Sequence, residues 1–240
     1  MTNPTAAILV IGDEILSGRT RDANMHHLAN VLTEIGIDLK EARLVSDNES
    51  AIIDAVHFLS KSYDHVFTSG GIGPTHDDIT ADAIAKAFDR SIEMRDDALK
   101  ILQSHYDGQG VELNEARLRM ARIPAGAELI DNPVSAAPGF RIGNVHVMAG
   151  VPAIFQAMVQ SVVPSLTGGL PIQSETVRIT RGEGDIAADL GALAQTYPDV
   201  SMGSYPFQRD GVYGTNVVLR SSDKERLAAA KVELIKCVKK

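Results

Sequence analysis

The chain has 240 residues, 44% of them apolar and 22% charged, a composition typical of a globular protein and not of a disordered one. The formal net charge is −8, and residues 1–170 carry thirteen basic against twenty-two acidic side chains, which excludes the basic surface that duplex nucleic acid requires. The single cysteine, Cys237, excludes an intrachain disulfide and a cysteine-based zinc cluster. No apolar run reaches the length of a membrane span or a signal sequence, so we expect a cytoplasmic protein with neither membrane nor nucleic acid as a partner.

Strand and helix patterns alternate from the start of the chain. The continuous apolar run at 7–11 predicts a strand that is buried on both faces of a parallel sheet. Helix and strand patterns then follow in turn at 25–35, 37–45, 52–59, 65–68 and 78–88. This order predicts an α/β fold with a doubly wound, mostly parallel sheet, in which ligands bind at the carboxyl ends of the strands.

The later part of the chain predicts a second, smaller module. Residues 94–123 have a helical pattern, and further elements are predicted at 128–130, 138–142, 145–148 (strands) and 152–163 (a helix). Two glycines at 168–169 then favour a linker. Beyond them the order strand, helix, strand, strand, helix predicts a small α+β module. We therefore predict two domains, 1–168 and 171–240.

A glycine-rich segment follows the third predicted strand. It reads Ser-Gly-Gly-Ile-Gly-Pro-Thr-His-Asp-Asp over 69–78. Three glycines in four positions permit backbone angles and a close ligand approach that a Cβ would block, and the N-terminus of the next helix suits an anion. The candidate phosphate-binding residues of this segment are Ser69, Gly70, Gly71, Gly73 and Thr75.

Two adjacent carboxylates end this segment. Asp77 and Asp78 repel a bare polyphosphate, but they suit a divalent cation that bridges carboxylate and phosphate. They are therefore the candidate metal ligands and catalytic residues. The simpler interpretation is a tight turn with an aspartate helix cap. Three glycines together with paired acids favour the ligand site.

A second acidic turn follows the first predicted strand. Gly12, Asp13 and Glu14 should face the same crevice as the glycine-rich segment, because the carboxyl ends of parallel strands lie at one edge of the sheet. Gly12 is a candidate ligand-binding residue, and Asp13 and Glu14 are candidate catalytic residues, either as cation ligands or as a base for water. An equally good interpretation of these residues alone is that Asp13 or Asp22 caps the following helix.

With these segments in order, the chain resembles the molybdopterin-binding fold family of MogA, MoaB and gephyrin-type domains. Within that family it is similar to the N-terminal part of CinA-type (competence/damage-inducible) proteins and to the related domain of eukaryotic FAD synthases. The motifs that carry the resemblance are Gly-Asp-Glu-Ile-Leu at 12–16, the glycine-rich segment at 69–78, Ala-Pro-Gly at 137–139 and Gly-Val-Pro at 150–152. Residues 171–240 look like the KH-like module that follows this domain in CinA-type proteins, where it does not imply RNA binding.

The resemblance extends the list of candidate site residues. Pro138, Gly139 and Gly150 lie in small-residue turns for which ordinary turn chemistry is the better interpretation of the residues alone. The motif match makes them candidate ligand-binding residues as well. The sequence departs from the family pattern at three positions, with Ser135 in place of a usual glycine, Ala149 in place of proline and Ile154 in place of glutamate.

The resemblance implies a metal-dependent nucleotide pyrophosphatase that acts on a dinucleotide diphosphate such as ADP-ribose or FAD. Two alternatives remain open: a protein that binds or adenylylates molybdopterin, and a non-catalytic module that senses a nucleotide. The implied cofactor is a divalent metal (Mg²⁺, Mn²⁺ or Co²⁺), and no redox cofactor is expected. The implied partners are a small-molecule nucleotide or pterin and further copies of the chain, as a dimer or trimer.

Overall fold

A computed structural model describes residues 3–209 and 211–238 of the chain. The chain divides into two compact units, Met1–Gly169 and Leu170–Lys240. The outermost residues of both predicted domains (1, 2, 239 and 240) and Asp210 lie outside the described residues.

The first unit contains eight strands and seven α-helices among its described residues. The strands are β1 (Thr5–Ile11), β2 (Asp38–Val45), β3 (His65–Ser69), β4 (Ile92–Met94), β5 (Arg122–Pro124), β6 (Glu128–Ile130), β7 (Gly139–Ile142) and β8 (Val145–Met148). The helices are α1 (Asp13–Leu16), α2 (Asn24–Glu34), α3 (Glu49–Ser62), α4 (Thr80–Ala87), α5 (Asp96–Gln109), α6 (Glu115–Leu118) and α7 (Pro152–Val162).

Six of these strands form one sheet in the order β2-β1-β3-β8-β7-β6. β1 pairs in parallel with β2 and β3, and β3 pairs in parallel with β8. Only the β8–β7 and β7–β6 pairs are antiparallel. The predicted α/β fold with a doubly wound, mostly parallel sheet is therefore confirmed.

The helical prediction for 94–123 is correct for α5 and α6 and wrong at both ends. β4 and β5 pair there as an antiparallel ribbon, with Glu93 opposite Ile123. Strands of three residues are too short to show a period of two, so the helical pattern between them dominates the sequence signal.

Both faces of the sheet are buried, which explains the continuous apolar run in β1. Ala7, Leu9 and Ile11 point to the face covered by α3, α4 and α5, while Ile8 and Val10 point to the face covered by α2 and α7. The chain therefore leaves β1 over one face, through α2, and leaves β3 over the other, through α4. This divergence opens a crevice at the carboxyl ends of β1 and β3, where open α/β sheets bind ligands.

The second unit has the predicted order of elements, β9 (Gln173–Ile179), α8 (Glu183–Thr196), β10 (Ser201–Arg209), β11 (Val212–Ser221) and α9 (Lys224–Val238). Its antiparallel sheet has the order β10-β11-β9. Ile186, Leu193, Val217 and Leu227 belong to its apolar core. None of the helices in the described part of the chain is both long and apolar enough to cross a bilayer.

Candidate functional site

The glycine-rich segment begins where β3 ends, and two of its glycines have backbone conformations that other residues rarely adopt. Gly70 has a φ of +114° and Gly71 a φ of +71°. A Cβ on Gly70 would overlap the carbonyl oxygen of Ile11, and one on Gly71 would overlap the hydroxyl of Thr80. Glycine is required at both positions because both the angle and the space exclude a side chain.

Thr80, the first residue of α4, stabilises this turn through two hydrogen bonds. Its hydroxyl donates to the Gly70 carbonyl and its N–H to the Gly71 carbonyl, both at 3.0 Å. Within the part of the chain that the structure describes, the N–H groups of Gly71, Ile72 and Gly73 donate no hydrogen bond to protein. Three successive free donors on a fixed turn suit the oxygens of an anionic ligand.

Asp78 is engaged within the segment. Its Oδ2 accepts from the Thr75 N–H at 2.8 Å and from the Thr75 hydroxyl at 2.6 Å. This turn delays the helix, so α4 begins at Thr80 and the predicted start at 78 is two residues early. A Cβ on Gly73 would lie 2.7 Å from the same oxygen, so Gly73 leaves room for the Asp78 carboxylate. Asp78 therefore stabilises the conformation of the glycine-rich segment.

Asp77 points outward and is ionised at neutral pH. Its side chain is 63% exposed, and one of its oxygens lies 3.8 Å from Nδ1 of His76, which is almost fully exposed. The Thr75 side chain and the backbone of Asp77 itself hold the pKa of this carboxyl below its usual range. Asp77 thus presents a stable negative charge to a ligand or cation.

A third acidic residue, Asp47, joins the pair at 13–14, and the sequence argument did not find it. Asp47 follows β2, and its Oδ2 accepts the N–H of Asp13 at 2.9 Å. Partial burial raises the pKa of Asp47, and the negative charges of Asp13, Glu14 and Asp77 raise it further. Asp13, Glu14 and Asp77 are therefore close enough to Asp47 to disfavour its ionised form. No lysine or arginine forms an ion pair with them within residues 3–209 and 211–238.

The acidic residues and the glycine turn open into one cleft of about 590 Å³, a size typical of small-molecule sites. The predicted site residues that line it are Glu14, Gly70, Gly71, Gly73, Asp77, Asp78 and Gly150. All three departures from the family pattern (Ser135, Ala149 and Ile154) line it as well. Residues from the ends of three neighbouring strands are thus brought together, as the parallel-sheet argument predicts.

The other predicted site residues lie around this cleft and do not line it. Gly12 donates its N–H to Val45 at 3.1 Å, and Asp13 and Thr75 make the contacts given above. Pro138 lines a smaller cavity of about 20 Å³ on the other side of the glycine turn. Gly139 begins β7 against the Val147 carbonyl and the Met158 side chain, a packing contact that explains the glycine without a ligand.

Ser69 is buried and takes part in a junction that the sequence argument missed. Asn24, at the start of α2, donates to the Ser69 hydroxyl at 2.7 Å and to the Gly150 carbonyl at 2.8 Å. This amide ties α2 to the ends of β3 and β8 and fixes the floor of the crevice. A local pattern in the sequence could not reveal it, because the three residues are 45 and 126 positions apart.

Two further residues of the cleft were missed for different reasons. Asp47 follows a predicted strand next to the first one, so the rule that found residues 12–14 applies to it equally. Tyr106 reaches the cleft from α5, in a region whose residues predict a helix and nothing more. Among the described residues, no group of three or more His, Cys, Asp or Glu side chains is arranged to hold a metal ion by itself.

Comparisons with known proteins agree with this geometry. The family model described as probable molybdopterin binding domain matches residues 7–168, and the model described as the middle domain of FAD synthase matches residues 171–240. A crystal structure of a CinA protein of unknown function from Thermoplasma acidophilum is 33% identical and superposes with a TM-score of 0.62, covering 67% of this chain and 98% of that one.

Two sequence relatives extend the similarity. A protein from Archaeoglobus fulgidus is 34% identical over 199 residues, which is 83% of this chain and 84% of that protein. A probable FAD synthase from Caenorhabditis elegans is 32% identical over 257 residues, which covers 96% of this chain and 49% of the relative. The chain thus spans about half the length of that FAD synthase.

Proposed function

The chain belongs to the family of probable molybdopterin binding domains, and from this premise we propose that it is a divalent-metal-dependent nucleotide pyrophosphatase. Its substrate is the diphosphate of a dinucleotide such as ADP-ribose or FAD. The similarity to a probable FAD synthase supports a nucleotide ligand. The observation that carries the proposal is that one crevice contains Asp47 beside three further carboxylates and a glycine turn whose N–H groups donate no hydrogen bond among the described residues.

The charge of the crevice fits a divalent cation shared with the substrate. Mg²⁺ is usually held by one or two carboxylates together with phosphate oxygens and water, so a complete protein cage is not needed. Asp77 is ionised and lines the cleft. Asp47 also lines it, and a cation bound there would stabilise the ionised form that burial and the nearby carboxylates disfavour. Asp47 and Asp77 are the proposed metal ligands, together with Asp78. The bound ion supplies charge neutralisation at the diphosphate and acidifies water.

The remaining groups of the crevice have separate roles in the proposed hydrolysis. The N–H groups of Gly71, Ile72 and Gly73 hold the oxygens of the phosphoryl group as negative charge develops on them. Glu14, which lines the cleft, accepts the proton of the attacking water, whereas Asp13 does not line the cleft and contacts Asp47 through its backbone N–H. The water oxygen bonds to one phosphorus, the bridging P–O bond breaks, and the second phosphate leaves with that oxygen.

The proposal is tested by measuring AMP release from ADP-ribose and from FAD with Mg²⁺, Mn²⁺ or Co²⁺. We expect Asp77→Asn to lower kcat/KM by about 100-fold or more, the usual effect of removing a group that acts on developing charge. Asp54→Asn is the matched control, because Asp54 is an exposed carboxylate on α3 outside the cleft. Full activity in Asp77→Asn, or equal losses in both variants, contradicts the proposed role.

A second candidate function is binding or adenylylation of molybdopterin, and the description of the matched family favours it. It uses the same glycine turn for the ligand phosphate and needs no hydrolysis. The fluorescence of a pterin that co-purifies with the wild-type protein, together with no AMP release from either dinucleotide, would support this function in place of the first.

A further inference from the structure

The cleft has a second wall that the proposed chemistry does not use. Tyr106 from α5 and Met120 from the short helical turn before β5 line it together, and we call these two residues the ring wall. Tyr106 is the one aromatic side chain that lines the cleft within the described ranges. The ring wall offers an aromatic ring and a thioether side chain, whereas the free N–H donors and the carboxylates lie on the segment 70–78, on Glu14 and on Asp47.

The ring of Tyr106 is held in place by the chain that follows it. α5 ends at Gln109, and Gly110 follows it with a φ of +65°. The chain then turns back, and Arg117 of α6 contacts Tyr106. The Arg117 guanidinium lies 4.9 Å from the centre of the Tyr106 ring, and it also donates to the Glu112 carbonyl. The His105 ring meets Tyr106 edge-on at 5.3 Å. These contacts fix the ring orientation before any ligand binds.

We infer that the ring wall is the subsite for a planar heteroaromatic ring of the ligand, of the nucleobase or flavin class. A fixed aromatic ring contacts another ring by offset stacking or edge to face, and a methionine side chain adapts to an aromatic surface. Neither residue offers a phosphate anything comparable to the donors of the glycine turn. The inference rests on the proposed function only in placing the charged part of the ligand at that turn.

The opposite side of the cleft is the competing location for the ring. Val151, Pro152 and Ile154 line it at the turn before α7 and at the start of that helix. These side chains are aliphatic and include no aromatic surface, so they provide apolar area without the preferred geometry of a ring pair. The two locations make opposite predictions for mutants of Tyr106 and Ile154.

The test compares two ligands that differ only by a ring. AMP and ribose 5-phosphate share the sugar and the phosphate, and FMN is a third ligand with a flavin on a linear ribityl phosphate. All three are products or fragments, so the dissociation constants in Mg²⁺ do not depend on hydrolysis. We expect the wild type to bind AMP or FMN more tightly than ribose 5-phosphate. Tyr106→Leu should weaken the preferred ringed ligand about 2- to 12-fold, and Tyr106→Phe should retain the wild-type affinity.

Further variants separate loss of the subsite from loss of the fold. Met120→Ala should weaken only the ringed ligand, and the unfolding temperature of each variant shows whether the protein is intact. Equal binding of all three ligands by the wild type, no binding of any, or an equal loss for all three in Tyr106→Leu overturns the inference. So does a ring-specific loss in Ile154→Ala in place of Tyr106→Leu. If AMP is never released from ADP-ribose but the ring-specific effect of Tyr106 is found, only the proposed hydrolysis fails.

Discussion

Acidic residues of the crevice and of the second unit differ in the charge of the side chains next to them. In the second unit Asp199 accepts two hydrogen bonds from Arg226, both at 2.8 Å, and Glu175 accepts one from Lys231 at 2.8 Å. In the crevice Asp47 faces other carboxylates, and its pKa is raised. Paired charges hold elements of a fold together at little net gain, whereas carboxylates with no basic partner among the described residues are the groups to which we assign the proposed cation.

The crevice also depends on the conformation of a glycine, and this gives the largest expected effect on stability. Gly71→Ala should destabilise the protein by about 3 kcal/mol, since its positive φ and the overlap with the Thr80 hydroxyl act together. Gly18→Ala is the matched control, with a φ of +72° and open space around its Cβ position, and should cost about 1 kcal/mol. Urea unfolding of both variants measures the difference. Equal costs would show that the turn has room for a side chain.

A buried histidine should lower the stability of the first unit in mild acid, at pH values where the Asp199–Arg226 ion pair of the second unit is still intact. His146 stacks on Phe67 at 4.9 Å and is 2% exposed, and burial followed by the positive charges of His65 and Arg141 lowers its pKa to about 3. The unfolded chain takes up this proton near pH 6.5 and the folded chain does not, so stability falls as the pH drops from about 6.5 toward 3. At pH 5 the loss relative to pH 7.5 is about 2 kcal/mol.

The measurement is urea unfolding of the wild type and His146→Phe at both pH values. Phenylalanine keeps a ring against Phe67 and has no proton to bind, so the variant should lose about 2 kcal/mol less than the wild type at pH 5. The Asp199–Arg226 pair holds the pKa of Asp199 below its usual range, so its contribution to stability is intact at pH 5 and is lost only as the pH falls below about 4. An unchanged acid response in His146→Phe would mean that another group titrates.

The smallest expected effect is the change in stability when the negative charge of Asp47 is removed. Because the folded state raises the pKa of Asp47, the ionised carboxylate opposes folding at neutral pH, and stability should increase as the pH falls through that raised pKa. Asp47→Asn should therefore stabilise the protein at pH 7 by about 0.5 kcal/mol, a typical gain from removing a like-charge contact. Asp199→Asn should do the reverse. A loss of stability in Asp47→Asn would show that its bond to the Asp13 N–H outweighs the repulsion.

The sequence predicts the frame of the crevice well, because that frame follows from local patterns. The apolar run of β1 and the glycines after β3 identify two adjacent strand ends, and their positions at one edge follow from parallel pairing. The same rule places Glu14 and Asp77 in one cleft, as the structure has them. The rule would also have found Asp47.

Other parts of the site depend on contacts that a local pattern does not contain. Asp78 turns back to Thr75 and delays α4, a choice between two hydrogen-bonded arrangements of one segment. Tyr106 reaches the cleft only because the chain reverses at Gly110 and α6 packs against it. Gly139 matches a family motif, yet its neighbours in the fold explain it by packing. Such residues become visible only when the tertiary structure is known.

The central claim is that the unpaired carboxylates of the crevice act with a divalent cation on a dinucleotide diphosphate. The most direct measurement is AMP release from ADP-ribose by the wild-type protein, first freed of metal with EDTA and then supplied with Mg²⁺, Mn²⁺ or Co²⁺. The account predicts no release without metal and restored release with at least one of the three ions. Release that is equal with and without EDTA, or no release under any of these conditions, would contradict it.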